Sequence, residues 1–166
     1  IGIIDAALEK EGIPFYLAEK TDITVRPLIK LLLFALRIAR YNWQKEDVVG
    51  YLKTGLAGID ADDINFFEEY AEVWHICGKA TLEKPFTMNP DGYTERTSAR
   101  AARILEGANR ARAALVPPLA AYFEALDGAT TATDFAAATY RFLASIGVPE
   151  AMKARAAAHL VAGERR

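Results

Sequence analysis

Cysteine and histidine are nearly absent from these 166 residues, and that shortage removes several chemistries at once. A lone Cys77 cannot close an internal disulfide or a multi-cysteine zinc site, and it suits a reducing, cytoplasmic setting. His75 and Cys77 together supply two metal ligands, too few to close a site, so a packed or hydrogen-bonded helix-terminal histidine is the plainer role. His159 stands alone in an alanine-rich helix and reads the same way. Long apolar runs are also lacking: the longest, Leu31–Leu36, falls far short of the ~20 residues a membrane helix needs. Asp5 follows Ile1–Ile4 at once, which no signal peptide tolerates. With 20 basic against 22 acidic side chains, the net charge of −2 provides no overall field for nucleic acid.

Catalytic patterns are missing as well. No Asp or Glu is followed two residues later by Lys, the spacing expected where carboxylates converge on the metals of a two-metal nuclease. Asp60, Asp62 and Asp63 lack the glycine and distal glutamate of a calcium loop, and no serine nucleophile elbow is present. Gly78-Lys79-Ala80-Thr81 resembles the end of a phosphate loop, but the earlier glycine is absent and a helix, not a strand, leads in. The chain therefore reads as no self-contained enzyme, with no metal or cofactor of its own.

What is present is helical. A hydrophobic fraction of 52% with 25% charged residues is that of an ordinary globular chain, and its alanine bias favours helix. The expected fold is all-α, an irregular bundle with at most one or two short strands near residues 13–18, where Pro14 opens an extended apolar run. Opening on Ile-Gly, the chain reads as a piece of something longer, with lobes 1–78 and 94–166 joined by a proline-containing loop at 79–93. Helices are expected over Ile3–Leu8, Pro27–Tyr41, Lys45–Lys53 and from an Asp60 cap through Ile76. A further helix from Thr97 or Ser98 should break or kink at Pro117-Pro118, and the next should open at Thr133-Asp134. Pro149 begins the last. The helix at 27–41 should bury a core face of Leu28, Leu31, Leu32, Ala35, Leu36 and Ala39, leaving Arg26, Lys30, Arg37 and Arg40 as a solvated edge that Leu33 interrupts.

Charge is distributed unevenly. Residues 1–92 carry 10 basic and 15 acidic side chains, whereas 93–166 carry 10 and 7. Arg96, Arg100, Arg103 and Arg110 fall at offsets 0, 4, 7 and 14, one face of a helix on which Gly107 also lies. Such a stripe suits DNA phosphates; a solvated face, or one paired with the acidic helix at 60–76, is the plainer alternative.

The most particular stretch is Tyr41–Gly55, containing Asn42-Trp43, Glu46-Asp47-Val48 and Tyr51-Leu52-Lys53-Thr54-Gly55, with Leu56 next. Together with Gly12-Ile13-Pro14-Phe15-Tyr16, Glu19-Lys20 and Arg26-Pro27-Leu28, it resembles the B subunit of AddAB-type (RexAB-type) ATP-dependent helicase–nucleases. Asp63-Ile64 with Glu68-Glu69-Tyr70 continues the likeness, and Asn109-Arg110, Pro117-Pro118-Leu119 and Phe142-Leu143 fit a looser later half. Arg26 replaces a usual histidine, Glu69 stands where asparagine is common, and Cys77-Gly78-Lys79 is a variant ending.

The resemblance implies an accessory helical part of a DNA end-processing machine for double-strand-break repair and recombination. In that machine ATP, magnesium and an iron–sulfur cluster would serve elsewhere, and this piece would guide DNA or hold the companion A chain of the helicase–nuclease, with no membrane involved. Trp43, Tyr51, Leu52, Lys53, Thr54 and Gly55 would be its identifying motif, packed rather than reactive. Two other roles compete: a protein-interaction module without DNA contact, and a ligand-binding regulator domain, which would need a sizeable apolar pocket.

Overall fold

The computed structural model describes residues 2–14, 22–94 and 96–163, and among these the fold is all-α. Helix α1 (Gly2–Lys10) is followed by Gly12 in the left-handed region, φ +64°, which glycine enters without a side-chain clash. Ile13 and Pro14 adopt no regular structure, and the rest of the strand expected at 13–18 lies outside the described residues.

A single 3-10 turn, Ile23–Val25, leads into α2 (Pro27–Arg40), with Pro27 in its first turn as anticipated. Its buried stripe is Leu31, Ala35 and Ile38, so the core face is rotated from the expected one: Ile38 is inside and Ala39 is exposed. The reason is tertiary. Among the described elements, α2 packs chiefly against α3 (Lys45–Leu52) and the preceding turn, so only one stripe finds cover. At the α2–α3 contact the Phe34 ring lies on Gly50, where a β-carbon would come within 2.5 Å of it. Arg37, on the supposedly solvated edge, donates from Nε to the buried Asp47 carboxylate at 2.6 Å.

Helix α4 (Ala61–Val73) starts as anticipated, with Asp60 accepting from the Asp62 amide at 2.9 Å. It stops three residues before the expected Ile76. His75 turns left-handed at φ 47°, letting the Ile76 amide donate back to the Ala71 carbonyl at 3.0 Å and close the last turn. A short helix α5 (Lys79–Leu82) occupies the start of the stretch read as loop, with Leu82 and Phe86 buried.

Helix α6 (Ala99–Asp127) runs on through Pro117 and Pro118, so of the expected break or kink there is no break. The two prolines leave the carbonyls of Ala113 and Ala114 without intrahelical donors, but both residues are exposed and water can satisfy them. Buried Leu115, Leu119 and Tyr122 on the opposite face anchor the helix before and after the prolines. Helix α7 (Ala132–Ser145) is capped by Thr131, two residues before the expected opening at Thr133. Thr131 and Asp134 form a reciprocal capping box, with the Thr131 hydroxyl accepting from the Asp134 amide at 3.1 Å and the Asp134 carboxylate accepting from the Thr131 amide at 3.0 Å. Helix α8 (Val148–Gly163) carries Pro149 in its first turn.

Among the described elements, α4 and α6 share the most extensive helix contact, and Gly107 lets them come close. A β-carbon there would overlap the Phe66 ring and stand 2.9 Å from an Asp63 oxygen. With no side chain in the way, Phe67, Tyr70 and Ala71 of α4 reach Ile104, Ala108 and Ala111 of α6. One buried cluster extends from there on both sides of residues 79–93. Phe86 stacks on Tyr70 at 4.6 Å, Trp43 meets Phe123 edge-on at 5.6 Å, and Tyr122 stacks on Phe142 at 4.3 Å.

Gly107→Ala is expected to destabilise the fold by up to about 2 kcal/mol, since overpacking costs ~1–3 and the gain in helix propensity offsets ~1. Urea titration checks this, and adding Phe66→Leu should recover part of the loss. A second expectation concerns acid. Hydrogen bonds from Thr131 and Thr130 hold the Asp134 carboxyl below its ordinary range. Its folded value is depressed, so its contribution is present above the unfolded carboxylate value of about 4 and fades as pH falls below that. Asp134→Asn should therefore flatten the decline of the urea midpoint between about pH 5 and pH 2, while lowering the midpoint at pH 7.

Candidate functional site

The motif at 41–55 is built by two helix ends and a turn. Asn42 and Trp43 both have positive φ, 51° and 56°, and the Trp43 amide donates to the Ile38 carbonyl at 3.0 Å. That turn sends the indole into the core and returns the backbone toward residue 78. There the Gly78 amide donates to the Trp43 carbonyl at 3.2 Å, and Asn42 accepts from the Lys79 amide at 3.4 Å.

Tyr51 and Leu52 are buried, and burial pushes the Tyr51 phenol well above its ordinary value, a group for packing rather than proton transfer. Lys53 leaves the core to meet Glu68 of α4 at 2.6 Å. Thr54 donates to the Tyr51 carbonyl at 2.7 Å, and Gly55 turns left-handed at φ +65°. Arg155 of α8 then donates to the Gly55 carbonyl at 2.9 Å, so close that a β-carbon on Gly55 would stand 3.0 Å from its guanidinium. Every motif residue is thus occupied by the fold itself.

The arginine stripe is divided by the structure. Arg96 precedes the α6 cap Ser98 and so lies off the helix on which sequence spacing put it. Arg100 clasps Glu69 of α4 through two nitrogens, at 2.7 and 2.9 Å. Arg110 holds Asp63 in the same two-pronged manner, at 2.7 and 3.0 Å, and reaches Glu106 at 2.9 Å. The Asp63 hydrogen bond raises the Arg110 guanidinium above its ordinary range. Arg103 is exposed and, like Arg96, joins no ion pair among the described residues. With Arg100 and the Phe66 ring it borders a depression of about 320 Å³. The acidic side of α4 is answered throughout: Glu68 by Lys53, Glu69 by Arg100, and Glu72 by Lys45, whose hydrogen bond holds Glu72 below the usual carboxylate range.

Three polar side chains that sequence spacing did not single out do the most connecting. The Asn109 amide accepts from the Phe86 amide at 2.8 Å and donates to the Phe86 carbonyl at 3.0 Å, fastening residues 79–93 to α6. Arg112 donates to the Leu82 carbonyl at 3.2 Å, and Arg155 ties α8 to the end of α3. An asparagine in mid-helix, where its propensity is poor, was the one local sign that its side chain had a task.

Elsewhere, a depression of about 490 Å³ is open and bordered by Arg37, Tyr41, Gln44, Glu46 and Asp47. A groove of about 240 Å³ runs between α6 and α7. Neither gives the apolar enclosure that a small-molecule regulator needs. Among the described residues, no three His, Cys, Asp or Glu side chains gather to hold a metal, and no helix is long and apolar enough to cross a membrane.

No protein-family model matches the chain. Curated proteins do. Over 150 residues it is 37% identical to the B subunit of the ATP-dependent helicase/deoxyribonuclease of Acetivibrio thermocellus, covering 89% of this chain and 13% of that protein. The corresponding protein of Ruminiclostridium cellulolyticum is 31% identical over 156 residues, covering 91% and 13%, and that of Clostridium novyi 28% over 151 residues, covering 91% and 12%. The chain spans about an eighth of the length of these curated relatives. The likeness extends over nearly the whole of this chain rather than one motif, and the chain belongs to the family of ATP-dependent helicase/deoxyribonuclease B subunits.

Proposed function

We propose that this chain is a helical accessory segment of a helicase–nuclease B subunit, one that serves DNA double-strand-break repair and recombination. Its task is to hold parts of that machine together, its companion chain included, rather than to grip DNA through the arginine stripe. One observation carries the choice between those roles: Arg100 and Arg110 are each engaged through two nitrogens by carboxylates of α4. A guanidinium whose fork already matches a carboxylate has fewer donors left for phosphate. A purpose-built phosphate track would leave such arginines unanswered, and acids beside them would repel the DNA backbone. The relatives' name supplies the remaining context, since a B subunit works with another chain, on DNA, at the expense of ATP. ATP, magnesium and an iron–sulfur cluster belong, in this reading, to other parts of the assembly. The segment works in the cytoplasm.

A charge swap separates holding from gripping. In the two-chain enzyme, Arg100→Glu should lower the thermal midpoint slightly, because an exposed pair contributes up to ~1 kcal/mol, and Glu69→Arg added to it should restore that midpoint. Affinity for DNA ends and the unwinding rate should stay within about twofold across Arg100→Glu, the swapped pair and Arg103→Ala. A loss of DNA affinity of roughly tenfold that persists in the swapped pair would assign the stripe to phosphate instead.

A further inference from the structure

Helix α2 has two apolar faces, and the structure fully buries one. Leu31, Ala35 and Ile38 are buried against α3 and its surroundings. On the opposite side, Ile29, Leu33 and Leu36 recur at i, i+4 and i+7, the spacing of a helix-docking seam. Leu33 is 43% exposed, and Ile29 and Leu36 are only partly covered. Ile23 and Val25, in the turn packed against the start of α2, are more exposed still.

The charges that α2 itself carries are of one sign, with Asp22 at the start of the preceding turn the nearest described acid in sequence. Pro27–Arg40 contains no acidic residue, while Arg26, Lys30 and Arg40 are all exposed. Among the described residues, Arg37 is the one of these basic side chains that meets a carboxylate, that of Asp47. A merely solvated face has no reason to keep leucine and isoleucine at seam spacing, and a phosphate-gripping face has no use for an apolar centre. An apolar centre with a charged rim is the layout of a protein interface, and a basic rim calls for acids opposite.

We propose that the outer face of α2 is a docking surface for the companion chain of the helicase–nuclease, through an apolar helix or helical patch flanked by Asp and Glu. This deepens the holding role above and rests on it: the seam supplies contact area, and Arg26, Lys30 and Arg40 set orientation and rate of encounter.

The test uses the complete B subunit with its companion chain, their affinity measured by interferometry at low and moderate salt. Leu33→Glu should weaken that affinity about tenfold or more, as loss of a central apolar anchor does, while Leu33→Met leaves it unchanged. Reversal of Lys30 and Arg40 to Glu should slow association and reduce its salt dependence. Circular dichroism and the thermal midpoint of the free B subunit should be unaltered by each variant.

Unchanged affinity for the companion chain with Leu33→Glu in a folded protein overturns the proposal. So does a fall in the free protein's own midpoint, which would mean that its own chain covers the seam, or a loss of self-association, which would mean a second copy. A fall in DNA affinity alone on reversal of Lys30 and Arg40 would make the edge a nucleic-acid contact. The Arg100–Glu69 swap reports on the holding role independently, so the seam can fail while that role stands.

Discussion

Two helices approach only as closely as the side chains between them allow, and α4 meets α6 where α6 has none. At Gly107 the Phe66 ring takes the space a β-carbon would need, and Asp63 comes near enough for Arg110 to hold it. That approach brings Phe67, Tyr70 and Ala71 onto Ile104, Ala108 and Ala111, the centre of the buried cluster. The same arrangement recurs at Gly50, on which the Phe34 ring sits, and there it sets the distance between α2 and α3. Interiors pack at crystal-like density, so a single methyl group at either contact would force the facing ring to move.

The backbone between these helices is fastened by side chains that belong to neither end of it. Residues 82–89 have few ladder partners of their own, yet Asn109, Arg112, Tyr70 and Trp74 satisfy amides or carbonyls of Phe86, Leu82, Met88 and Asn89. Buried backbone groups must be paired, and here α4 and α6 do the pairing. The turn at Asn42-Trp43 and the end of α3 at Thr54-Gly55 are completed in the same manner, by residues 78–79 and by Arg155. The Tyr41–Gly55 block is therefore particular because its backbone turns are unusual. Chemistry does not explain it.

Charge follows packing in this chain. Once α4 lies along α6, the acids at 63 and 69 stand opposite the arginines at 110 and 100, and most of what looked like a phosphate track on α6 becomes internal pairing, with Arg103 outside it. Lys45 and Lys53 answer Glu72 and Glu68 of α4. The basic side chains of α2 other than Arg37 stay outward beside an apolar seam, which makes α2 rather than α6 the side turned toward a partner.

Much of this was legible in the residues. Helical periodicity, the Asp60 cap, Pro27 and Pro149 at helix starts and Gly55 at a helix end are local signals, because propensity, capping and φ restrictions act over a few residues. Family membership was legible for a related reason, since short blocks such as Asn42-Trp43 and Leu52-Lys53-Thr54-Gly55 lie at backbone turns, with Asn42 and Gly55 at positive φ. The passage of α6 through Pro117-Pro118, the early end of α4 at His75, the rotation of the α2 core face and the pairing of Arg100 and Arg110 were decided only in three dimensions. Each depends on what lies opposite: exposed carbonyls that water can reach, a single covering neighbour, or a carboxylate 31 or 47 residues away. Local sequence determines which helices form, and the contacts between them determine which faces remain to be used.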